Sequence, residues 1–592
     1  MTTPSLSFSG KVWRPRMLAT AVHHDLAASF GLHALFANIL ADRGLDDSAA
    51  VEGFLQPRLQ QLADPLSLLE MDKAVNRLLQ AMEGGEPIAV FGDYDVDGVT
   101  SAALLVRYFR ASGIELRVYI PDRLTEGYGP NAPAMRALAA EGIRVVITVD
   151  CGATAFAALQ EARELGLDLI VTDHHQMREN LPPALALINP NRPDEPFPYK
   201  NMAGVGVAFY LVMALNRALR QRGWFHAGRP EPDLKQWLDL VAIGTIADVA
   251  SLTGMNRILV ANGLRAAAAS THVGLQALQR VARLTGGLRA GQVAFQLGPR
   301  INAGGRLSRG ALGVELLTTD DPERAQAVAD ELEGYNRERQ ALEERMLREA
   351  LAAVAAAGGV GDRCGVVVAE PGWHPGVIGV VASRLAERLY RPVIVIALDE
   401  NGRGKGSGRS ISGVDLLAAI EATAHLLTAF GGHRAAAGLS LEEAQLPAFA
   451  EAFDQAVRTQ FRPGLFDPVL QVDGVLPLLE VDRRLVAHLE RLSPFGQGNP
   501  EPVVVVENVR VAEPRLLKER HVKCFLVDTQ ERVLEAIAFQ AWPGALGTGL
   551  LAGAGRVDVA GTCMINSYRD RERVQMIIKD ARPACRPGEE AR

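Results

Sequence analysis

Three short apolar runs in this chain each end on acidic residues, and that feature constrains the fold most. PIAVF (Pro87 to Phe91) leads into GDYDVDG, VVITV (Val145 to Val149) leads into Asp150, and LIVT (Leu169 to Thr172) leads into Asp173-His174-His175. Runs of this length and composition, separated by helical patterns near Ser101 to Ala111, Ala132 to Ala140 and Ala155 to Leu165, predict parallel strands buried on both faces. Open sheets of that kind form their ligand crevice at the carboxyl ends of the strands. The acidic residues therefore share one structural address although they lie far apart in sequence.

Asp93, Asp95 and Asp97 fall at alternate positions after the first run, Asp150 ends the second, and Asp248 sits in the helical segment GTIADVA. Carboxylates gathered on one rim repel: two unit charges about 4 Å apart cost roughly 4 kcal/mol at an effective dielectric of about 20. Divalent cations remove that cost. Oxygen ligands with one imidazole suit Mn²⁺ or Mg²⁺, and the ligand count is enough for two ions bridged by one carboxylate. A lone Asp at a strand end is more often a turn residue or helix cap, so the weight rests on the joint set. DYDVDG also matches the first half of a calcium-binding EF-hand loop. Position twelve would be Leu104, where a bidentate Glu is required, and a strand rather than a helix precedes it.

Beyond the sheet pattern, helices dominate from about Gly204 to Leu284. The stretch Asp321 to Ala357 reads as one long helix joining two domains. A second α/β pattern begins at GVVVA (Gly365 to Ala369) and continues through PVIVI and Gly-rich turns, and valine-rich strands from Val469 to Asp580 predict an OB-like barrel. The expected organisation is a helical lead-in over 1–70, an α/β catalytic domain over 71–320, a linker helix over 321–360, a second α/β domain over 361–462, a β-barrel over 463–585 and a disordered tail over 586–592.

PRINAGGRLS (Pro299 to Ser308) and GYGPN (Gly127 to Asn131), which follows Arg123 in IPDRLTEGYGPN, read as loops where arginine forks and bare amides suit a phosphate, and GKGSGRS (Gly404 to Ser410) and GGHRAAAG (Gly431 to Gly438) are stretches that let the backbone approach a ligand closely. Lys405 is followed by Gly406, so no Walker A loop is present, and GVGVAF from Gly204 lacks the third glycine and the preceding strand of a dinucleotide site. In the β region, RLLKERHVK (Arg515 to Lys523) and Tyr568 beside Arg569, Arg571 and Arg573 suit single-stranded nucleic acid, and a solvated hairpin face explains them equally well. Bulk charge announces no such partner: 62 basic and 69 acidic side chains leave a net charge of −7. Five scattered cysteines with no CxxC pair indicate neither a zinc ribbon nor a disulfide framework. No apolar stretch reads as a membrane span or secretory signal, and a cytoplasmic location is expected.

GDYDVDG, VDCG, TDHH and GTIADVA, in that order, resemble the successive motifs of the DHH phosphoesterase superfamily. HPGVIGVVASR, GSGRS and GGHRAAAG resemble its DHH-associated domain, and PFGQGNPEP (Pro494 to Pro502) followed by a β domain is similar to the bacterial RecJ family. The resemblance covers about residues 70 to 580. It implies a 5′→3′ exonuclease that degrades single-stranded DNA to mononucleotides with two Mn²⁺ or Mg²⁺ ions in DNA repair and recombination, working with a helicase and a single-strand-binding protein. By the same resemblance Asp95, Asp97, Asp150, His174 and Asp248 match metal ligands, with Asp150 the bridge, and Asp93 and His175 are auxiliary. Some relatives in the superfamily carry a histidine where this chain has Phe91, and Asp93 is the expected substitute. Arg123 and Arg306 match contacts to a 5′-phosphate, and Ser407, Arg409 and His433 match the DNA-binding face of the associated domain. Two further readings stay open: a phosphoesterase acting on pyrophosphate or short oligonucleotides, and a non-catalytic scaffold for single-stranded DNA.

Overall fold

The computed structural model describes residues 6–584 except 124, 178, 308–309, 554 and 569–570. The chain forms two compact units, one spanning Pro57–Gln460 with Pro494–Asn499, the other taking in the residues up to Gln56 with Phe461–Ser493 and the segment from Pro500 onward.

The larger unit is built on a five-stranded parallel sheet. Its spatial order is Arg117–Tyr119, Ile88–Gly92, Val145–Val149, Asp168–Thr172 and Ala186–Ile188. Side-chain alternation explains why the strands are apolar throughout. Ile88 and Val90 face a core built with the helices Met71–Gly84, Val96–Ala111, Gly204–Gln221 and Leu238–Ala247. Ala89 and Phe91 face the opposite core, with Met135, Leu138 and Leu159 of the helices Ala132–Ala140 and Phe156–Glu164. The chain order reverses where Ile88–Gly92 lies beside Val145–Val149, and a ligand crevice opens at such a switch point.

A 35-residue helix, Pro322–Ala356, follows, with Asp321 capping its first turn through Glu323 N–H at 2.9 Å. At 1.5 Å per residue it is about 50 Å long. It leads to a mixed five-stranded sheet in the order Ala429–Gly432, Ala436–Glu442, Arg403–Arg409, Val393–Leu398 and Val366–Pro371. Here the structure corrects one expectation. GKGSGR is a central strand, not a Gly-rich turn. A Cβ on Gly404, Gly406 or Gly408 would come within 2.9 Å of Ile396, 2.6 Å of Leu439 or 2.5 Å of Ile394, so these glycines serve close packing.

In the smaller unit, Val12–Pro15 pairs in parallel with Val469–Val472, so the N-terminal segment packs with the C-terminal region rather than standing apart. Five strands, Val504–Leu517, His521–Val527, Val533–Ala538, Arg571–Pro583 and Arg556–Tyr568, pair in that order, and the last pairs back onto the first. The result is a closed barrel, as expected, with the additional helices Arg483–Glu490 and Ala545–Ala552. The basic run Arg515 to Arg520 lies exposed at one hairpin end. Of the patch from Tyr568 to Arg573, residues 569–570 lie outside the described residues, as does the 586–592 tail, while Arg573 is exposed with its Nη1 3.9 Å from Glu535 Oε2. Among the described residues no helix is long and apolar enough to cross a membrane, and the four described cysteines are free and buried.

Candidate metal centre

The first strand ends at Gly92, and Asp93, Asp95 and Asp97 follow as the chain turns into the helix Val96–Ala111. Asp95 caps that helix: its Oδ1 accepts the N–H of Asp97 at 2.9 Å and of Gly98 at 3.2 Å. Gly98 is required by close approach, since a Cβ there would meet the Asp93 backbone at 2.5 Å. Asp97 is fully buried, and two backbone amides at the start of the helix Gly204–Gln221 hold it, Gly204 N–H at 2.6 Å and Val205 N–H at 2.8 Å. The amides that open GVGVAF thus face a protein carboxylate. PRINAGGR is likewise helical over Gly298–Arg306, not a loop, and Asn302 Oδ1 accepts Val96 N–H at 3.2 Å.

Asp150 follows the neighbouring strand with a left-handed backbone (φ 59°) that turns its side chain into the crevice. His174 and His175 follow the next strand. His174 Nε2 lies 3.1 Å from Asp150 Oδ1 and 3.8 Å from Asp97 Oδ2, and its Nδ1 lies 3.9 Å from Asp248 Oδ2. Asp248 caps the C-terminus of the helix Leu238–Ala247. His175 Nδ1 donates to Asp173 Oδ1 at 2.7 Å, and the Tyr128 hydroxyl stands 3.2 Å from the same nitrogen. Ligand-type atoms gather within 4.8 Å of one another in three overlapping sets: Asp93, Asp95 and Asp150; Asp97, His174 and Asp248; Asp150, His174 and His175. Asp150 and His174 each belong to two sets.

The electrostatics of this crevice favour cations. Burial and then the Asp95 charge push Asp97 up to about 7. Burial, Asp97 and Asp95 push Asp248 up to about 9, and burial with like charge raises Asp93 and Asp150 well above the carboxylate range. Burial and the neighbouring His175 lower His174 to about 4, so its ring is neutral and free to ligate. Burial opposes the charge on His175, but the Asp173 hydrogen bond outweighs it and lifts His175 to about 9. Asp93 Oδ1, Asp150 Oδ1 and His174 Nε2 are buried polar atoms with no hydrogen-bond partner. At 3.1 Å, Asp150 and His174 are close without being aligned to bond. Orphaned acceptors in a set of oxygens plus one imidazole fit hard divalent cations.

All seven acidic and histidine residues expected at the site, Asp93, Asp95, Asp97, Asp150, His174, His175 and Asp248, meet there. Phe91 does not: it is buried in the core and stacks on Tyr119 at 5.2 Å, leaving Asp93 beside Asp95 and Asp150. The Arg123 guanidinium lies over the Tyr94 ring at 5.1 Å. Burial, followed by the charges of Arg123, Arg339 and Arg409, lowers Arg306 to about 10. Arg409 bonds Ser407 Oγ at 3.1 Å, so both belong to this arginine neighbourhood. His433 is exposed in the hairpin turn before Ala436–Glu442, where its N–H donates to Ala436 O at 2.8 Å, and Ala436 pairs with Arg409. Tyr128 and the Gly204 amide were not expected as parts of the site. Tyr128 lies within the expected phosphate loop, and the Gly204 contact arises only from a helix far along the chain.

Models of the DHH family N-terminal domain, the DHHA1 domain and the RecJ OB domain match residues 87–245, 362–459 and 472–580. The single-stranded-DNA-specific exonuclease RecJ of Escherichia coli is 38% identical over 576 residues, covering 94% of this chain and 97% of the relative. The chain belongs to the RecJ family. The RecJ of Bacillus subtilis is 37% identical across 94% of this chain and 69% of its own length. The crystal structure of RecJ from Thermus thermophilus in complex with Mn²⁺ superposes with a TM-score of 0.80 at 33% identity, covering 97% of this chain and 80% of that one. The RecJ architecture of parallel sheet, associated domain and OB barrel is thus that of this chain.

Proposed function

We propose that this chain is a metal-dependent exonuclease specific for single-stranded DNA, removing 5′-mononucleotides in the 5′→3′ direction during repair and recombination. One observation carries the reading: carboxylates and an imidazole from four remote segments converge with orphaned buried ligand atoms. Asp93, Asp95 and Asp150 would hold one divalent cation, and Asp97, His174, Asp248 and Asp150 a second, Mn²⁺ or Mg²⁺. When bound, the ions neutralise charge on the scissile phosphate and acidify water near it.

The chain's own residues do the rest. Asp173 orients His175 so that its ring is placed to donate to a phosphate oxygen. Arg123 lies over the Tyr94 ring and Arg306 bonds a neutral backbone carbonyl, contacts that leave both guanidinium charges for the terminal phosphate. We assign the catalytic role to 71–320 and strand binding to 361–462 and 463–585, with Ser407 and Arg409 on the associated domain. His433, in the hairpin turn before the β-strand that pairs with Arg409, would contact the DNA strand as well. A helicase and a single-strand-binding protein are the partners an enzyme for unpaired strands calls for, and the cytoplasm is its place of work.

The test is an assay of the pure protein with Mn²⁺ on 5′-phosphorylated single strands, blunt duplex and RNA. Loss of mononucleotides from the 5′ end of single strands is expected. Equal digestion of duplex, or turnover confined to dinucleotides, would contradict the reading.

A further inference from the structure

Arg306 ends the helix Gly298–Arg306, yet its guanidinium reaches into the second domain. Nη1 donates to the backbone carbonyl of Gly376 at 3.0 Å. The approach is close in the other direction as well. A Cβ added to Gly376 would stand 2.7 Å from the backbone oxygen of Arg306, a separation that real Cβ atoms do not tolerate. Gly376 does not have positive φ, so the position demands space and not a special backbone conformation.

The turn that presents this carbonyl is itself held. Gly376 N–H donates to His374 Nδ1 at 3.1 Å, an imidazole version of the side-chain-to-backbone bond that Asn makes in an Asx turn. Buried Trp373 donates its indole N–H to Glu349 Oε2 of the long helix at 2.8 Å. A carbonyl is a neutral partner. It fixes the direction of a guanidinium without neutralising it, and the remaining N–H donors stay available to an anion. The neighbouring Arg123 and Arg409 charges make that place favourable for a phosphate dianion.

The geometry points to Gly376 as a positioning residue: its carbonyl aims Arg306 at the terminal phosphate of the strand, so end recognition is set jointly by the two α/β domains. This rests on the 5′→3′ exonuclease reading above. It makes the turn Trp373 to Gly376 a specificity element for the 5′ end.

The experiment compares kcat/KM on 5′-phosphorylated and 5′-hydroxyl oligonucleotides with Mn²⁺ for the full chain and for Gly376→Ala, His374→Ala and His374→Asn. Manganese titration confirms in each variant that the acidic cluster is intact. Wild type is expected to prefer the phosphorylated end. Gly376→Ala and His374→Ala are expected to lower that preference about tenfold or more, through KM for the phosphorylated strand. His374→Asn keeps an acceptor for the Gly376 N–H and is expected to restore the preference. Alanine variants that keep the wild-type preference, or that slow both substrates equally with no rescue by Asn, would overturn the inference while leaving the exonuclease reading intact. A wild-type enzyme that cleaves single strands but ignores the phosphate overturns it too. Wild-type protein that fails to cleave at all overturns the exonuclease reading itself, and the inference with it.

Discussion

Asp173 Oδ1 accepts the Nδ1 proton of His175 at 2.7 Å, and the same oxygen takes the backbone N–H of His174 at 2.7 Å and of His175 at 3.1 Å. Its other oxygen accepts Ala153 N–H at 2.8 Å. One buried carboxylate thus fixes the histidine pair and ties it to the loop after Asp150. Burial opposes its ionisation, but the His175 hydrogen bond and charge, with the Ala153 amide, hold its pKa below the usual carboxylate range.

Asp173→Ala strands these donors in the interior. The expected cost is about 3 kcal/mol or more of stability, together with a loss of activity of about a hundredfold or greater as His175 loses its orientation. Thermal melts and steady-state kinetics check both. A variant that keeps wild-type kcat shows that His175 needs no such support.

Gly204 tests the other side of the crevice. A Cβ there would stand 2.9 Å from Asp150 Cβ and 3.0 Å from Asp97 Oδ2. Gly204→Ala is expected to push these two carboxylates off their positions, lowering kcat about a hundredfold and weakening Mn²⁺ binding while the chain stays folded. Circular dichroism with metal titration checks this.

Much of this site was legible because its residues end strands. Asp150 and the histidine pair follow apolar runs whose period places them on one rim, and Asp93, Asp95 and Asp97 follow the strand beside it. What was not legible came from long-range contacts. The amides of Gly204 and Val205 cap Asp97 across more than a hundred residues, a pairing that leaves no local pattern. PRINAGGR looked like a loop because of its glycines. It is helical, and its last glycine serves close packing instead: a Cβ on Gly305 would be 2.4 Å from Tyr94 O. The N-terminal segment read as a separate lead-in because a four-residue strand pairing with Val469–Val472 has no signal of its own.

Asp454 gives a pH-dependent prediction away from the metal centre. Its Oδ1 accepts Cys364 N–H at 2.6 Å and Gly365 N–H at 2.9 Å, and Arg458 Nη2 meets Oδ2 at 3.0 Å. Burial works against the charge, but the Gly365 amide, Arg458 and the Cys364 amide outweigh it and hold the pKa down. A depressed folded pKa gives stability that is present above the unfolded value of about 3.9 and lost as pH falls through the folded one. Asp454→Ala is expected to cost about 1–3 kcal/mol at neutral pH, and the gap to wild type is expected to close below about pH 4. Chemical denaturation at several pH values checks the sign, and a gap that widens in acid contradicts it.

Asp150→Ala removes the carboxylate shared by two of the ligand sets. It is expected to abolish cleavage and to weaken both Mn²⁺ binding events in calorimetry, not one of them. Loss of a single event with the other unchanged would mean that Asp150 does not bridge.

The most direct measurement is anomalous diffraction at the manganese edge from crystals of the full chain grown with Mn²⁺. Two peaks are predicted, one among Asp93, Asp95 and Asp150, the other among Asp97, His174, Asp248 and Asp150, with ligand distances of about 2.0–2.3 Å. No peak in this crevice, or manganese bound only elsewhere on the molecule, would contradict the account.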